Sequence, residues 1–330
     1  MAEIYPGIHW IKLPIALEDS DLEHINVYLI KGSKGYLLVD SGWNTDESFS
    51  TFHNYLLKNG IAFQEIKQIL VTHVHPDHYG AAGHIKELSE AKILMHQIEK
   101  DLIKPRYIDM NELLALTDKQ LSDNGASEDE VETLRDATLG LENYIIATQP
   151  DTTLHDGETI NIGTFNFRII WTPGHSSGHI CLYEPEKKIL FSGDHILPKI
   201  TPNVGLHPHS IDNPLGRYIE SLQQIKKLDI ELTLPGHDEP FKNPKRRINE
   251  IIRHHNLRNQ EILTALESDG KSAYKIAQMI TWSNNNGWDD LPPFHQRMAV
   301  FETLAHLEMM ATEGRVDKYS HQGVYYYKQK

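Results

Sequence analysis

One cysteine, Cys181, is all the chain has. No disulfide can form within it, so covalent staples play no part in its stability and nothing points to an oxidising compartment. No stretch approaches the roughly 18 consecutive apolar residues that a membrane span needs. The N-terminal run lacks the basic and apolar regions of a secretory signal, so a cytoplasmic location is the default expectation. Positive charge is also short: 32 Lys and Arg face 46 Asp and Glu, a formal net charge of −14. A broad basic surface for nucleic acid is therefore disfavoured, and a small-molecule substrate is the expected partner. No Ser–His or Cys–His pattern of an activated protein nucleophile is visible, and Cys181 falls in an apolar strand as a core residue.

What is abundant is histidine, 20 in 330 residues. At that frequency only a pattern carries weight. Residues 72–78 read THVHPDH, placing His73, His75, Asp77 and His78 within six positions. The apolar run KQILVT ends at this cluster, so the four side chains sit at the end of a short buried strand. Three more strand ends repeat the arrangement: His175 in WTPGHSSGH, Asp194 in LFSGDH and His237 in LTLPGH. A glycine precedes each of these three residues, which lets backbone approach closely. LLVDSG adds Asp40 at a further strand end. Imidazole and carboxylate groups suit zinc, iron or manganese. Four such groups in one short loop are more than one tetrahedral ion needs, and two adjacent ions fit them better.

Residues 1–242 alternate strands and helices, with hairpins at the start and in the middle. The pattern predicts a mixed sheet covered by helices, most naturally a four-layer αββα sandwich. Between about 97 and 147 the grammar turns helical, and a pair of helices is expected as an insertion. Ser127 and Glu130 have the spacing of a capping box there. The insertion reads as a lid over the site or as a dimer contact, and the oligomeric state stays open. Residues 243–330 predict helices followed by a terminal β-ribbon, a small winged-helix-like domain. Its helix at 293–314 sets Glu302, Glu308 and Glu313 against Arg297, a face expected to repel phosphate. The domain is therefore read as structural or substrate-shaping.

The ordered set T-H-x-H-x-D-H, T-P-G-H, S-G-D and P-G-H resembles the metallo-β-lactamase superfamily over residues from about 7 to 242. T-P-G-H-x-x-G-H extends the likeness to its glyoxalase-II-like branch. The resemblance implies that His73, His75 and His175 bind one divalent ion, zinc before iron or manganese. It implies that Asp77, His78 and His237 bind a second and that Asp194 bridges the two. Asp77 would also orient the nucleophile and pass a proton to the leaving group. A metal-bridging hydroxide would then attack a small thioester, ester or lactone. The alternative is a metal-dependent single-strand endoribonuclease or phosphodiesterase. Asp40, Tyr79, His179, His195 and Asn203 are the supporting or substrate-facing candidates, Asn203 because the Pro- and His-rich loop 197–210 follows Asp194 directly. Redox relatives carry an acidic residue where this chain has His75, which favours hydrolysis.

Overall fold

The computed structural model describes residues 2–16, 22–136, 140–266, 270–282 and 287–330. Two sheets form its centre. The first has seven strands in chain order: β1 (Ala2–Tyr5), β2 (Ile8–Pro14), β3 (His24–Lys31), β4 (Tyr36–Val39), β5 (Ile66–Leu70), β6 (Lys92–His96) and β7 (Thr152–Leu154). Its first four strands are antiparallel, and β4 to β7 pair in parallel. The second sheet holds β8 (Thr159–Ile162), β9 (Phe165–Trp171), β10 (Ile180–Glu184), β11 (Ile189–Gly193) and β12 (Leu232–Pro235), ordered β12-β11-β10-β9-β8.

Alternating side chains of each strand serve two layers. Phe167, Ile169 and Leu182 join Ile30, Val39 and Leu70 in the core between the sheets. Ile170 and Cys181 point the other way, toward α7 (Pro214–Lys226) and α8 (Pro244–Ala265), where Tyr218, Leu222 and Ile248 meet them. The opposite face of the first sheet is covered by α1 (Asp46–Lys58), α3 (Ala82–Ser89) and α4 (Gln97–Tyr107), through Phe52, Leu56, Ile85 and Leu102. A one-turn helix, α2 (Pro76–Tyr79), precedes α3. Helix, sheet, sheet, helix is the four-layer order that the alternation predicts.

Among the described residues, the connection from β6 to β7 carries three α-helices where a pair was expected: α4, α5 (Asn111–Asp123) and α6 (Glu128–Asp136). The extra one is α4, whose polar composition and internal Pro105 mask its periodicity. The capping box forms as read: Ser127 N donates to Glu130 Oε2 at 2.7 Å, and Glu130 N donates to Ser127 Oγ at 3.4 Å. The reading of the sequence after Asp136 as more of this helix falls partly outside the described residues.

Beyond α8 lie α9 (Ala273–Ala277), α10 (Pro293–Thr312) and a hairpin of β13 (Val316–His321) and β14 (Val324–Gln329). Leu121, Val131 and Leu134 of the insertion share one hydrophobic core with Ile262, Ile276, Val300, Leu304 and Tyr327. The insertion and the C-terminal helices thus pack as a unit. The expected acidic face of α10 is corrected here. Glu302 is nearly enclosed, its side chain only 13 % exposed, and it bonds Asn203 rather than facing solvent. The helix is wedged between α7, α8 and α9 and buries side chains around most of its circumference, including Val300, Phe301, Thr303, Leu304, His306 and Met310. No helix among the described residues is long and apolar enough to cross a membrane.

Candidate metal centre

Five strand ends converge at one edge of the sandwich. β4 delivers Asp40, β5 His73 and His75, β9 His175, β11 Asp194 and β12 His237. Asp77 and His78 ride on α2, where Pro76 occupies the first helical position and His75 the cap before it. Proline suits that position because its missing N–H has no helical partner to lose. The helix start therefore splits the motif: His75 lies outside the turn, and Asp77 and His78 lie within it.

The side chains gather into two groups joined by a carboxylate. His75 Nδ1 lies 3.0 Å from His73 Nε2 and 3.1 Å from His175 Nε2. Asp77 Oδ2 lies 3.1 Å from His237 Nε2 and 3.6 Å from His78 Nε2. Asp194 reaches both: Oδ2 is 3.7 Å from His175 Nε2 and 3.4 Å from His237 Nε2, and Oδ1 is 3.3 Å from His78 Nε2. Within His73–His75–His175, within His73–His78–Asp194 and within Asp77–His78–His237, the candidate ligand atoms lie within 4.8 Å of one another.

Four of the imidazoles are anchored by the nitrogen that faces away from the cluster. His78 Nδ1 meets Asp40 Oδ2 at 2.8 Å, and His237 Nδ1 donates to the His24 carbonyl at 2.9 Å. His175 Nδ1 donates to the Asn203 carbonyl at 2.8 Å, and His73 Nδ1 meets Thr72 Oγ1 at 3.1 Å. Such outer contacts set the tautomer and leave Nε2 free for a metal. Among the described residues, His78 Nε2, His237 Nε2 and Asp194 Oδ1 are buried and lack a hydrogen-bond partner. Buried polar atoms are seldom left so, and divalent ions between the groups would satisfy all three. The donor set and its orphaned atoms therefore fit two such ions.

The electrostatics divide in the same way. Burial, and then the neighbouring imidazoles, hold His73 and His75 well below the usual histidine range, in the neutral form that ligates metals. Burial also opposes charge on His78 and His237, but Asp194 above all, with Asp77, outweighs it. His78 is raised well above its ordinary value, and His237 is raised to about 10. Burial likewise opposes charge on Asp194, yet His237 and His78 hold its carboxyl well below the usual range. The carboxylates thus demand positive charge at the second group, which protons or a metal can supply.

Glycine makes the close approach possible. A side chain at Gly236 would put Cβ 2.4 Å from Asp194 Oδ1 and 2.7 Å from His78 Cε1. Gly193 has φ +47°, and a Cβ there would meet His179 Nε2 at 2.6 Å.

The supporting candidates fall into different places. Asp40 accepts from Thr72 N at 2.8 Å and from Thr72 Oγ1 at 3.0 Å besides holding His78, so it orients both ends of the motif's first turn. His179 Nδ1 pairs with Thr172 Oγ1 at 2.8 Å, and its Nε2 accepts the Asp194 N–H at 3.1 Å. Asn203 holds His175 by its carbonyl, and its side chain donates to Glu302 Oε2 at 2.8 Å. Tyr79 requires correction as a pocket-lining candidate: it is fully buried in the helix-facing core, and its hydroxyl is engaged with Thr148 O and N at 2.6 Å each. His195 packs edge-on against Tyr218, ring centroids 5.1 Å apart, on the helix side of the second sheet.

One residue escaped the sequence reading. Glu99 of α4 is fully buried. Its Oε2 accepts from Val74 N at 2.7 Å, and its Oε1 accepts from Ser176 Oγ and Gly178 N at 2.6 Å each. It joins the loop of His73 and His75 to the loop of His175. A lone glutamate in a polar helix gives no sign of this; only its place one turn after the β6 strand end hints at the site.

Comparisons with known proteins agree with this geometry. The sequence pattern of the metallo-beta-lactamase superfamily matches residues 20–237. The probable metallo-hydrolase YqjP of Bacillus subtilis (strain 168) is 24% identical over 326 residues, covering 96% of each chain. The lactamase-like protein adaB of Aspergillus niger is 26% identical over 74% of this chain and 60% of its own. Among solved structures, a metallo-beta-lactamase family protein of Thermus thermophilus superposes with a TM-score of 0.83 at 29% identity, covering 99% of this chain and 100% of that one. A beta-lactamase domain protein from Burkholderia ambifaria gives 0.86 at 25% identity, covering 99% and 94%. The chain is a hydrolase that belongs to the metallo-beta-lactamase superfamily.

Proposed function

We propose that the protein is a dinuclear metal-dependent hydrolase of a small thioester, ester or lactone. The observation that carries this reading is Asp194, whose two oxygens face both histidine groups at 3.3 to 3.7 Å. His73, His75 and His175 would hold one divalent ion, and Asp77, His78 and His237 the other, with Asp194 between them; zinc suits this donor set, as do iron and manganese. Bound there, such ions would lower the pKa of their water to near neutrality and polarise an acyl oxygen.

The chain's own residues supply the rest. Asp77 keeps 17 % of its side chain exposed, unlike the enclosed His78 and His237, so it is the member of its group that solvent and a substrate can reach. Burial opposes its ionisation, but His78 and then His237 hold its carboxyl below the usual range. It is thus a carboxylate at neutral pH, able to accept a proton and return it to a leaving group. Asp40, Glu99 and the Asn203 carbonyl keep the imidazoles aimed while substrate binds. Loop 197–210, whose Asn203 holds His175 and is itself held by Glu302 of α10, would form one wall of the site.

The test is a panel of thioesters, esters, lactones and phosphodiesters with zinc- or manganese-loaded protein. Turnover of at least one carbonyl substrate, lost on Asp194→Ala, is expected. Turnover of the phosphodiesters alone would overturn the reading.

A further inference from the structure

Arg297 is the only arginine or lysine of α10. Its guanidinium lies over the Phe301 ring, 5.4 Å from the centroid, and the His207 ring lies 4.6 Å from the same centroid. The loop that carries His207 is fastened at both ends of this contact. Leu206 N donates to the Phe301 carbonyl at 2.9 Å, and the Asn203 carbonyl holds His175 at 2.8 Å. Arg297 and His207 therefore stand beside the first histidine group. Arg106, near the end of α4, is close enough for its charge to act on Arg297, on His207 and on His75. The neighbouring Tyr107 hydroxyl donates to the Val74 carbonyl at 2.6 Å, which fixes this end of α4 against the His73–His75 loop.

Arg297 has little to neutralise it. Arg297 Nε is buried without a hydrogen-bond partner among the described residues. The acidic group nearest in effect is Asp118, which is already engaged by Arg135 at 3.0 Å. Glu302, one turn along α10, is taken up by Asn203 at 2.8 Å and faces Arg258 at 3.8 Å. An enclosed guanidinium without a counter-ion is costly, and two of them repel. Arg106, Arg297 and His207 are each half-buried rather than fully buried, which leaves an anion a way in.

We propose that Arg297 and His207, with the Arg106 charge nearby, form an anion-binding subsite beside the first histidine group, and that the substrate carries a carboxylate or phosphate which docks there. A guanidinium fork matches either oxyanion. Burial first, then Arg297 and Arg106, hold His207 well below the usual histidine range, so it serves as a neutral donor. Burial and Arg106 bring Arg297 down to about 10, and it remains a cation at neutral pH. This subsite rests on the hydrolase reading for its role, though not for its ability to bind an anion.

Two measurements on the full, metal-loaded chain test it. Inorganic phosphate and succinate, in separate titrations, are followed by NMR of the arginine Nε–H signals, with Arg297→Gln identifying the resonance of Arg297. A saturable shift of that signal with one or both anions is expected, and which anion gives it distinguishes phosphate from carboxylate; no shift with either overturns the proposal. In parallel, matched thioesters that differ only in a neutral, carboxylate or phosphate substituent are compared. The charged substrate should be favoured, and the anionic-to-neutral ratio of kcat/KM should fall about tenfold or more in Arg297→Gln and less in Arg297→Lys. An unchanged ratio overturns the substrate assignment. If no thioester or ester is turned over, the hydrolase reading fails while the resonance shift still decides the subsite.

Discussion

Oδ2 of Asp40 lies 2.8 Å from Nδ1 of His78, and both side chains are shut away from solvent. The contact keeps the proton of a neutral His78 on Nδ1 and turns Nε2 toward Asp194 and Asp77. Asp40 holds φ 59°, a backbone conformation that asparagine also tolerates. In Asp40→Asn the amide must face either the Thr72 N–H or the wrong side of His78. Metal affinity or activity should drop by about 10- to 100-fold with the fold retained. Competition with a chromophoric chelator checks this, and a change under about threefold would contradict it.

Glu99 makes a related prediction about the frame. Its two oxygens accept three hydrogen bonds from two loops. Glutamine keeps one acceptor and turns an NH2 group toward a donor, leaving a buried N–H or O–H unpaired. Glu99→Gln should lose about 1–3 kcal/mol of stability in urea titrations. It should also release metal faster, because His73 and His75 are no longer tied to His175. An unchanged midpoint would sink this account of Glu99.

Gly236 tests how tightly the two groups are nested. A Cβ there meets Asp194 Oδ1 at 2.4 Å and His78 Cε1 at 2.7 Å, so Gly236→Ala must displace the bridging carboxylate, a ligand of the second group, or both. Activity should fall at least about 100-fold, since misplacement of about 1 Å is enough for that. Crystal structures or X-ray absorption of the loaded variant would show the shift, and normal turnover would contradict it.

Buried histidines outside the metal centre carry a pH dependence of their own. Burial lowers His255 to about 3 and His96 to about 4, and holds His306 well below the usual range, where it bonds Asn259 at 2.7 Å. These folded-state values lie below the unfolded value of about 6.5. The stability they preserve is therefore present above about pH 6.5 and is lost as pH falls toward about 4. Urea unfolding between about pH 8 and 4.5 should show a plateau and then a decline that steepens below about 6.5. A flat profile down to about pH 5 would contradict the burial of these rings.

Much of the site was legible because its chemistry demands unusual residues at strand ends. His73, His175, Asp194 and His237 each follow an apolar run, and their strands stop at Leu70, Trp171, Gly193 and Pro235, close to the ends that the runs indicate. The αββα layering was legible for the same reason, since alternation of strands and helices leaves few ways to cover two sheets. What periodicity cannot report is the partner of a side chain far along the chain. Glu99 and Glu302 read as ordinary charges on helices, yet each is enclosed and bonded to a loop of the site 77 and 99 positions away. Tyr79 adjoins His78 in sequence, but one residue along a helical turn points to the core instead. Nothing in the spacing of Leu121 or Val131 announces that they share a core with Ile276 and Tyr327.

The central claim is a two-metal site bridged by Asp194, and metal stoichiometry tests it most directly. Protein stripped by chelation, reloaded with zinc and passed through a desalting column should hold two ions per chain by mass spectrometry of the metal. Asp194→Ala should hold one or none. One ion or none in the unaltered protein, or two retained without Asp194, would contradict the account.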